Sequence, residues 1–417
     1  MNERRIVVIG GGPAGLLAAG RAAEKGARVV LVEKNQALGE KLLISGKKRC
    51  NLTSSEEDTN VFLSKYGPNG KFLYSAFSGF GPRETIEFFE SRGVHLVEER
   101  GKRMFPAKGG SEAVLSALLG YLREGRVAVC RERESLNLEI GNGRVRRFIL
   151  REHEIEGDAF IVCTGGKSFP KTGSTGDGYR FARRAGHTVI PPLPALCPVR
   201  TIEKWPLSSC GLTLRNVSLT LRRGGTILSQ RFGELLLTHF GISGPIAMDM
   251  SKEIAGAAER GKVMLSIDFK PALPLNVLAD RISRDFVKFS GRMFKDSLGE
   301  LLPRGLIPAV LRLAPFPVEK IVNSLSRKEI EETASLFKTF PLTPDGLLGF
   351  EWAIVTSGGV SLKEIEPATM RSKLVENLFF AGEVLDLDGP TGGFNLQMCW
   401  STGYRAGESA ADMILSA

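Results

Sequence analysis

The feature that most constrains this chain is Gly10-Gly11-Gly12-Pro13-Ala14-Gly15. It follows the apolar run Ile6-Val7-Val8-Ile9 directly and opens an Ala- and Leu-rich stretch with helical spacing. A strand, a G-x-G-x-x-G turn and a helix in that order form the start of a parallel βαβ unit. Each glycine has its own physical task. Gly10 permits the tight turn, Gly12 lets a pyrophosphate approach the backbone, and Gly15 lets helix and strand pack closely. The free N–H groups at the helix start, with the helix dipole behind them, favour negative charge. A second apolar strand, Ala27–Glu33, ends in Glu33, placed to accept from ribose hydroxyls. Glycines serving only a turn are the competing reading, and the flanking strand, helix and terminal acid argue against it.

The pattern fixes a class of α/β fold and bounds the rest. With 417 residues, 42% apolar and 24% charged, the chain suits two or three globular domains. No run of about 18 uncharged apolar residues occurs, so a spanning helix is not expected. The first apolar run is too short for the core of a signal peptide and reads as a buried strand. Six cysteines (50, 130, 163, 197, 210, 399) include no C-x-x-C pair, and the four histidines lack metal-ligand spacing. A disulfide framework and a metal centre are therefore not expected, and a cytoplasmic location fits.

Further along, Pro82–Arg92 and Ser111–Arg123 read as helices, and residues 126–162 as a meander ending in a buried strand. Pro191, Pro192, Pro194 and Pro198 mark a boundary. Thr213–Leu221, Gly225–Arg231 and Lys262–Phe269 then read as strands, and Leu275–Phe289, Ile307–Leu313, Val318–Leu325 and Lys328–Phe337 as helices. After Phe340 the Rossmann-like pattern returns, with strand Leu378–Ala381 and a closing helix from about Asn395 to Leu415. The expected division is 1–190, an insert at 191–340 (β-rich to 272, helical from 273), and 341–417.

The glycine turn does not choose between dinucleotides, but three later segments point to FAD. Leu378-Phe379-Phe380-Ala381-Gly382-Glu383 is a short apolar strand ending in Ala-Gly-acid, resembling the C-terminal motif of two-piece FAD enzymes, whose acid meets the ribityl chain. Glu383 stands where many such enzymes have Asp, and Asp386 is placed to share the role. Gly392-Gly393-Phe394-Asn395 leads into the last helix, whose N-terminus favours negative charge on a reduced flavin. Ile161-Val162-Cys163-Thr164-Gly165-Gly166 resembles a middle flavoprotein motif. The candidate FAD-binding residues are thus Gly10, Gly12, Pro13, Ala14, Gly15, Glu33, Lys34, Lys41, Thr164, Gly165, Gly166, Gly382, Glu383, Asp386, Gly392, Gly393, Phe394 and Asn395. Only one complete G-x-G-x-x-G occurs, so NADPH or NADH is expected to visit the flavin directly rather than occupy its own Rossmann domain.

These segments resemble the BaiN/RdsA family of FAD-binding flavoproteins, also called aminoacetone-oxidase-like. The resemblance extends to Ser45-Gly46-Lys47-Lys48-Arg49-Cys50-Asn51-Leu52-Thr53, Thr164–Gly178, Leu237–Pro245, Thr356-Ser357-Gly358-Gly359-Val360 and Ala381–Gly407. It implies a two-piece Rossmann-like FAD domain interrupted by a β-barrel-like insert that carries a small helical subdomain. It also implies one of two activities: reduction of a uridine of large-subunit ribosomal RNA to dihydrouridine, or reduction of a C=C bond in bile-acid-like small molecules. Gly173–Gly178 also resembles fumarate-reductase-type flavoproteins, without a second matching segment.

Charge bears on that choice. The chain carries a net +10, and residues 191–340 hold 21 basic against 14 acidic residues. The remainder holds 35 and 32, so most of the excess lies in the insert. A basic insert suits RNA phosphates, and ribosomal RNA is the expected partner. Solubility alone is the bland alternative. No helix-turn-helix or zinc-finger pattern points to DNA. Reducing a uracil C5=C6 bond requires a hydride at C6 and a proton at C5. Cys50, which follows Lys47-Lys48-Arg49, and His239 are the candidate acids. Adjacent cations favour thiolate, which suits a nucleophile better than an acid, and buried structural roles compete for both residues. A flavin-bearing redox sensor without turnover is the remaining alternative.

Overall fold

In the computed structural model, which describes residues 4–416, the apolar run after Arg4 becomes the central strand of a parallel sheet. The sheet has five strands, in the order Leu378–Phe380, Ala159–Val162, Arg5–Ile9, Arg28–Val32, Ala128–Cys130. Every pairing is parallel. Parallel strands are covered on both faces, which is why Ile6, Val7, Val8, Phe160, Ile161 and Val162 are all fully buried and read as continuous rather than alternating runs. One edge strand comes from the far end of the chain, so the sheet is assembled from two pieces.

Helix Pro13–Glu24 packs on helix Phe394–Leu415 at unusually short range. A Cβ added at Gly403 would lie 2.4 Å from the Ala14 carbonyl oxygen, and one at Gly407 would lie 2.3 Å from that of Ala18. The two glycines, one helical turn apart, let the C-terminal piece close onto the N-terminal one. Two small antiparallel sheets flank this core: Thr53–Ser54, Arg103–Pro106 and Leu96–Glu99, and the meander Ser135–Gly141, Arg144–Leu150 and Glu154–Glu156.

Contacts divide the chain into one unit comprising residues up to Pro194 and from Ala353, and a second comprising Ala195–Trp352. Strand Val189–Ala195, which leaves the first unit, pairs with Val355–Val360, which re-enters it. Pro191, Pro192 and Pro194 therefore sit in extended chain at a two-stranded ribbon, where missing N–H groups are tolerated. The second joint falls after Trp352 rather than after Phe340, because Phe340–Leu342 and Pro344–Leu347 belong to the sheet of the inserted unit.

That sheet has seven antiparallel strands, ordered Phe340–Leu342, Met264–Asp268, Thr213–Arg223, Thr226–Leu237, Gly241–Ser243, Val199–Thr201, Pro344–Leu347. Its first and last strands are separated only by Thr343. One extended segment thus joins both edges, which closes the sheet into a barrel. Leu219, Leu221, Leu265 and Ile267 fill its core, and helices Leu275–Lys288 and Arg327–Lys338 pack together beside it. The expected helix Val318–Leu325 is absent. The Val318 and Lys320 carbonyls accept from the Lys295 and Phe294 N–H groups, the Lys320 N–H closes a turn on the Pro317 oxygen, and only Val322–Ser324 is helical.

Candidate functional site

Parallel strands end together, so the loops at their carboxyl ends meet at one edge of the sheet. Here those loops are Gly10–Gly15, Glu33–Asn35, Cys163–Gly166 and Ala381–Glu383. Gly10 adopts φ +106°, and a Cβ there would lie 2.5 Å from the Cys163 carbonyl oxygen. At Gly15 a Cβ would lie 1.9 Å from the Gly10 oxygen, so only glycine lets the helix start so close to the strand end. Gly12 differs: an added Cβ would meet nothing within 4 Å. Gly12 is the N-cap of the first helix, Pro13 occupies its first turn, and no side chain caps it. Uncapped N–H groups facing open space suit a pyrophosphate.

Glu33 is already oriented. One oxygen accepts from the Gly11 N–H at 2.7 Å and the other from the Asn35 N–H at 2.9 Å. Lys34 reaches elsewhere, to Thr175 Oγ1 and to Asp177 Oδ2 at 2.7 Å, and thereby fixes the second Gly-rich turn. The charge at Lys41 is spent on Glu383 (2.6 Å) and Ser168 Oγ (2.6 Å). The second Glu383 oxygen accepts from Ser168 Oγ at 2.9 Å and from the Thr356 N–H at 2.8 Å. Thr356 Oγ1 in turn accepts from the Lys167 and Ser168 N–H groups. The terminal acid of the C-terminal motif thus ties four chain segments together. Gly166 makes room for this network, since a Cβ there would lie 2.3 Å from Thr356 Oγ1.

On the other side, Gly392 and Gly393 have φ +129° and +94°. A Cβ at Gly393 would lie 2.5 Å from the Thr53 backbone, and the Asn51 carboxamide sits between the Thr53 oxygen and the Gly393 N–H. Asn395 closes its own loop by accepting from the Gly389 N–H at 2.9 Å and donating to the Gly389 oxygen at 2.8 Å. Phe394 is buried against Phe62, and its carbonyl accepts from the Tyr66 hydroxyl at 2.7 Å. The Asp386 carbonyl accepts from Asn69 Nδ2 at 2.8 Å. Gly382 adopts φ +79° and donates to Thr402 Oγ1 at 2.9 Å. The Thr164 hydroxyl is buried without a hydrogen-bond partner, beside Gly165 at φ +69°.

The candidate acids fare differently. Cys50 is fully buried, and burial pushes its thiol up to about 12. The basic run beside it does not produce a thiolate, because Lys47, Lys48 and Arg49 face solvent while the sulfur lies in the core. A fully buried thiol cannot meet a substrate, so the expectation of Cys50 as the acid is corrected to a core residue. His239 is exposed, with its ring 4.8 Å from that of Phe240, and lies in the inserted unit. Sequence reasoning assigned no role to Ser168, Thr356, Asn51 or Asn69. The segments containing Asn51, Ser168 and Thr356 were legible only as parts of a family resemblance.

Residues 4–409 match the model of the HI0933-like protein Rossmann domain family. The chain belongs to this family. Among its relatives, the 3-dehydro-bile acid delta(4,6)-reductase of Clostridium scindens is 31% identical over 413 residues, covering 98% of this chain and 99% of the relative. The ribosomal RNA dihydrouridine synthase of Haemophilus influenzae is 31% identical over 402 residues, covering 95% and 96%. A solved 3-ketosteroid delta1-dehydrogenase from Sterolibacterium denitrificans superposes with a TM-score of 0.54 at 12% identity, covering 98% of this chain and 99% of that one, a likeness of fold. The HI0933-like chain is thus an FAD-dependent oxidoreductase. Its open Gly12 cradle, oriented Glu33 and uncapped helix starts fit that cofactor. Among the described residues no helix is long and apolar enough to cross a membrane, and no cluster of three or more His, Cys, Asp or Glu is arranged to hold a metal ion.

Proposed function

We propose that this family member reduces the C5=C6 bond of a uridine in large-subunit ribosomal RNA to dihydrouridine, with NADPH or NADH as the reductant. The observation that carries the reading is charge: 21 basic against 14 acidic residues in 191–340, within a chain otherwise close to balance. The relative of Haemophilus influenzae named for that reaction supports it. Bound FAD supplies the two-electron chemistry. The chain's own residues hold and orient. Gly10–Gly15 and the start of the first helix would receive the pyrophosphate, Glu33 the ribose, and the start of the last helix at Gly393 the flavin's electron-rich edge. The Lys41–Glu383–Ser168–Thr356 network would keep the C-terminal motif in place beside the ribityl chain. With Cys50 buried, His239, which is exposed, is the remaining candidate acid, and a positioned water is the other proton source. Such a protein works in the cytoplasm, which agrees with six free cysteines.

A second reading, reduction of a C=C bond in a bile-acid-like molecule, is supported by the 31% identity to the Clostridium scindens reductase. It requires no salt-sensitive affinity for RNA. The test is to incubate FAD-loaded protein, NADPH and unmodified large-subunit ribosomal RNA, digest the RNA and quantify dihydrouridine by mass spectrometry. Time-dependent product that needs both enzyme and reductant is expected. Absence of product while NADPH still reduces the flavin would move the assignment to the small-molecule reductase.

A further inference from the structure

The longest strands of the inserted unit, Thr213–Arg223 and Thr226–Leu237, form a hairpin of 11 and 12 residues. Its outer strand is partnered on one side along its length, but on the other only Leu236 and Leu237 pair with a strand, at Ser243 and Ile242. Among the described residues no strand pairs with the outer edge from Thr226 to Leu235. Bare edges of this kind are ordinarily blunted by charge, proline or a covering element.

The chemistry along this hairpin is one-sided. Between Thr213 and Leu237 the sequence holds four arginines (215, 222, 223 and 231) against one acidic residue, Glu234. A bulge between Leu214 and Val217, with Asn216 at φ +55°, throws Arg215 and Asn216 out of register and into solvent. Large apolar side chains stand exposed among these charges: Phe232 at 61%, Ile227 at 52%, Leu228 at 42% and Met264, on the adjoining strand, at 54%. Arg231 is held by Glu253 at 2.8 Å, while Phe232, the next residue, points to the opposite face.

We propose that this hairpin docks a single-stranded or looped segment of RNA, a proposal that rests on the uridine-reductase reading above. Arginines on a ribbon meet phosphates, and an exposed aromatic ring offers a platform for an unstacked base. A second copy of the chain is the other natural occupant of a bare edge. At the edge itself Arg231 is offset by Glu253 and Glu234, whereas Arg215, Arg222 and Arg223 lie on the neighbouring strand, where pairing of two edges would give them no acid to meet. The excess of positive charge selects a polyanion.

The experiment uses full-length, FAD-loaded protein and a labelled fragment of large-subunit ribosomal RNA, with binding measured by fluorescence anisotropy across a salt series. The variants are Arg215→Glu/Arg223→Glu, Arg215→Lys/Arg223→Lys and Phe232→Ser, each checked for unchanged flavin content and urea midpoint. The charge reversal is expected to weaken binding at least ~10-fold and to flatten the log–log salt slope by roughly 0.7 per lost phosphate contact, while the lysine pair retains the slope. Phe232→Ser is expected to weaken binding roughly 5- to 100-fold with the salt slope unchanged, because stacking is not a counterion effect. Wild-type RNA affinity and slope in all variants would overturn the hairpin's role and leave the uridine reading standing. Failure of the wild-type protein both to bind RNA and to form dihydrouridine would overturn that reading and the hairpin's role with it. A wild-type dimer that Phe232→Ser dissociates in sedimentation, with RNA affinity unchanged, would assign the surface to a second copy and overturn the proposal.

Discussion

Two glycines of one turn are expected to fail for opposite reasons when replaced by alanine. At Gly15 the new methyl would lie 1.9 Å from the Gly10 oxygen and 3.2 Å from Cys163 Cβ, both on the protein itself. Ordinary contact demands that helix and strand separate by roughly 1.5 Å, and such overpacking costs about 1–3 kcal/mol. The better helix propensity of alanine returns at most about 1 kcal/mol. A net loss of about 1–2 kcal/mol is expected for Gly15→Ala, in the apo protein as well as the FAD-bound one. At Gly12 the methyl meets nothing within 4 Å, and φ −82° is comfortable for alanine. Weaker N-capping costs less than about 1 kcal/mol. The methyl instead occupies the space a pyrophosphate needs, and losing one charge-assisted hydrogen bond costs about 1.5–3 kcal/mol, or roughly 10- to 150-fold in affinity. Urea unfolding of the apo proteins and FAD titration by flavin fluorescence separate the two effects. Wild-type FAD affinity in Gly12→Ala, or apo stability loss equal to that of Gly15→Ala, would refute this account of the turn.

The remaining predictions concern buried groups. Lys41→Met should cost about 1–3 kcal/mol in urea unfolding by stranding the Glu383 carboxylate, and adding Glu383→Gln should restore most of it; strictly additive losses would show that the two side chains do not act as a pair. Alkylation of native protein near neutral pH, mapped by mass spectrometry, should label exposed Cys210 and spare Cys50, whose thiol burial pushes up to about 12; rapid native labelling of Cys50 would return it to the list of accessible acids. His187 hydrogen-bonds Ser372 at 2.7 Å and lies 3.3 Å from Glu364, and burial holds its imidazole below the ordinary value. The unfolded chain therefore binds that proton first, so stability should be full above about pH 6.5 and fall as pH drops below it. His187→Gln should flatten this part of the profile, and an unchanged slope would assign it to other groups.

The parallel core was legible because its signals are local. Ile6–Ile9, the glycine turn and Glu33 lie within 28 residues, and continuous apolar runs suit strands covered on both faces. The candidate site was legible where backbone geometry demands glycine, as at Gly10, Gly15 and Gly393. Its side-chain wiring was not. Lys41 and Glu383 are 342 residues apart, and nothing in either neighbourhood announces the other or Ser168 between them. Cys50 shows the limit of reading charge along a chain, since its sulfur lies in the core while the three adjacent cations face solvent. The Val318–Leu325 segment has a helical pattern, yet its backbone pairs with Phe294 and Lys295, a tertiary choice that spacing does not encode. The segment after Phe340 closes a barrel only because it touches strands at both edges at once.

The central claim, FAD-dependent reduction with a uridine of RNA as acceptor, is tested most directly by watching the flavin itself. FAD-loaded protein would be reduced by NADPH without oxygen, then mixed with unmodified large-subunit ribosomal RNA or with a 3-dehydro-Δ4,6 bile acid while the flavin absorbance is followed. The account predicts rapid reoxidation by the RNA alone, with loss of the signal when the RNA already carries dihydrouridine. Reoxidation by the bile acid alone would contradict it.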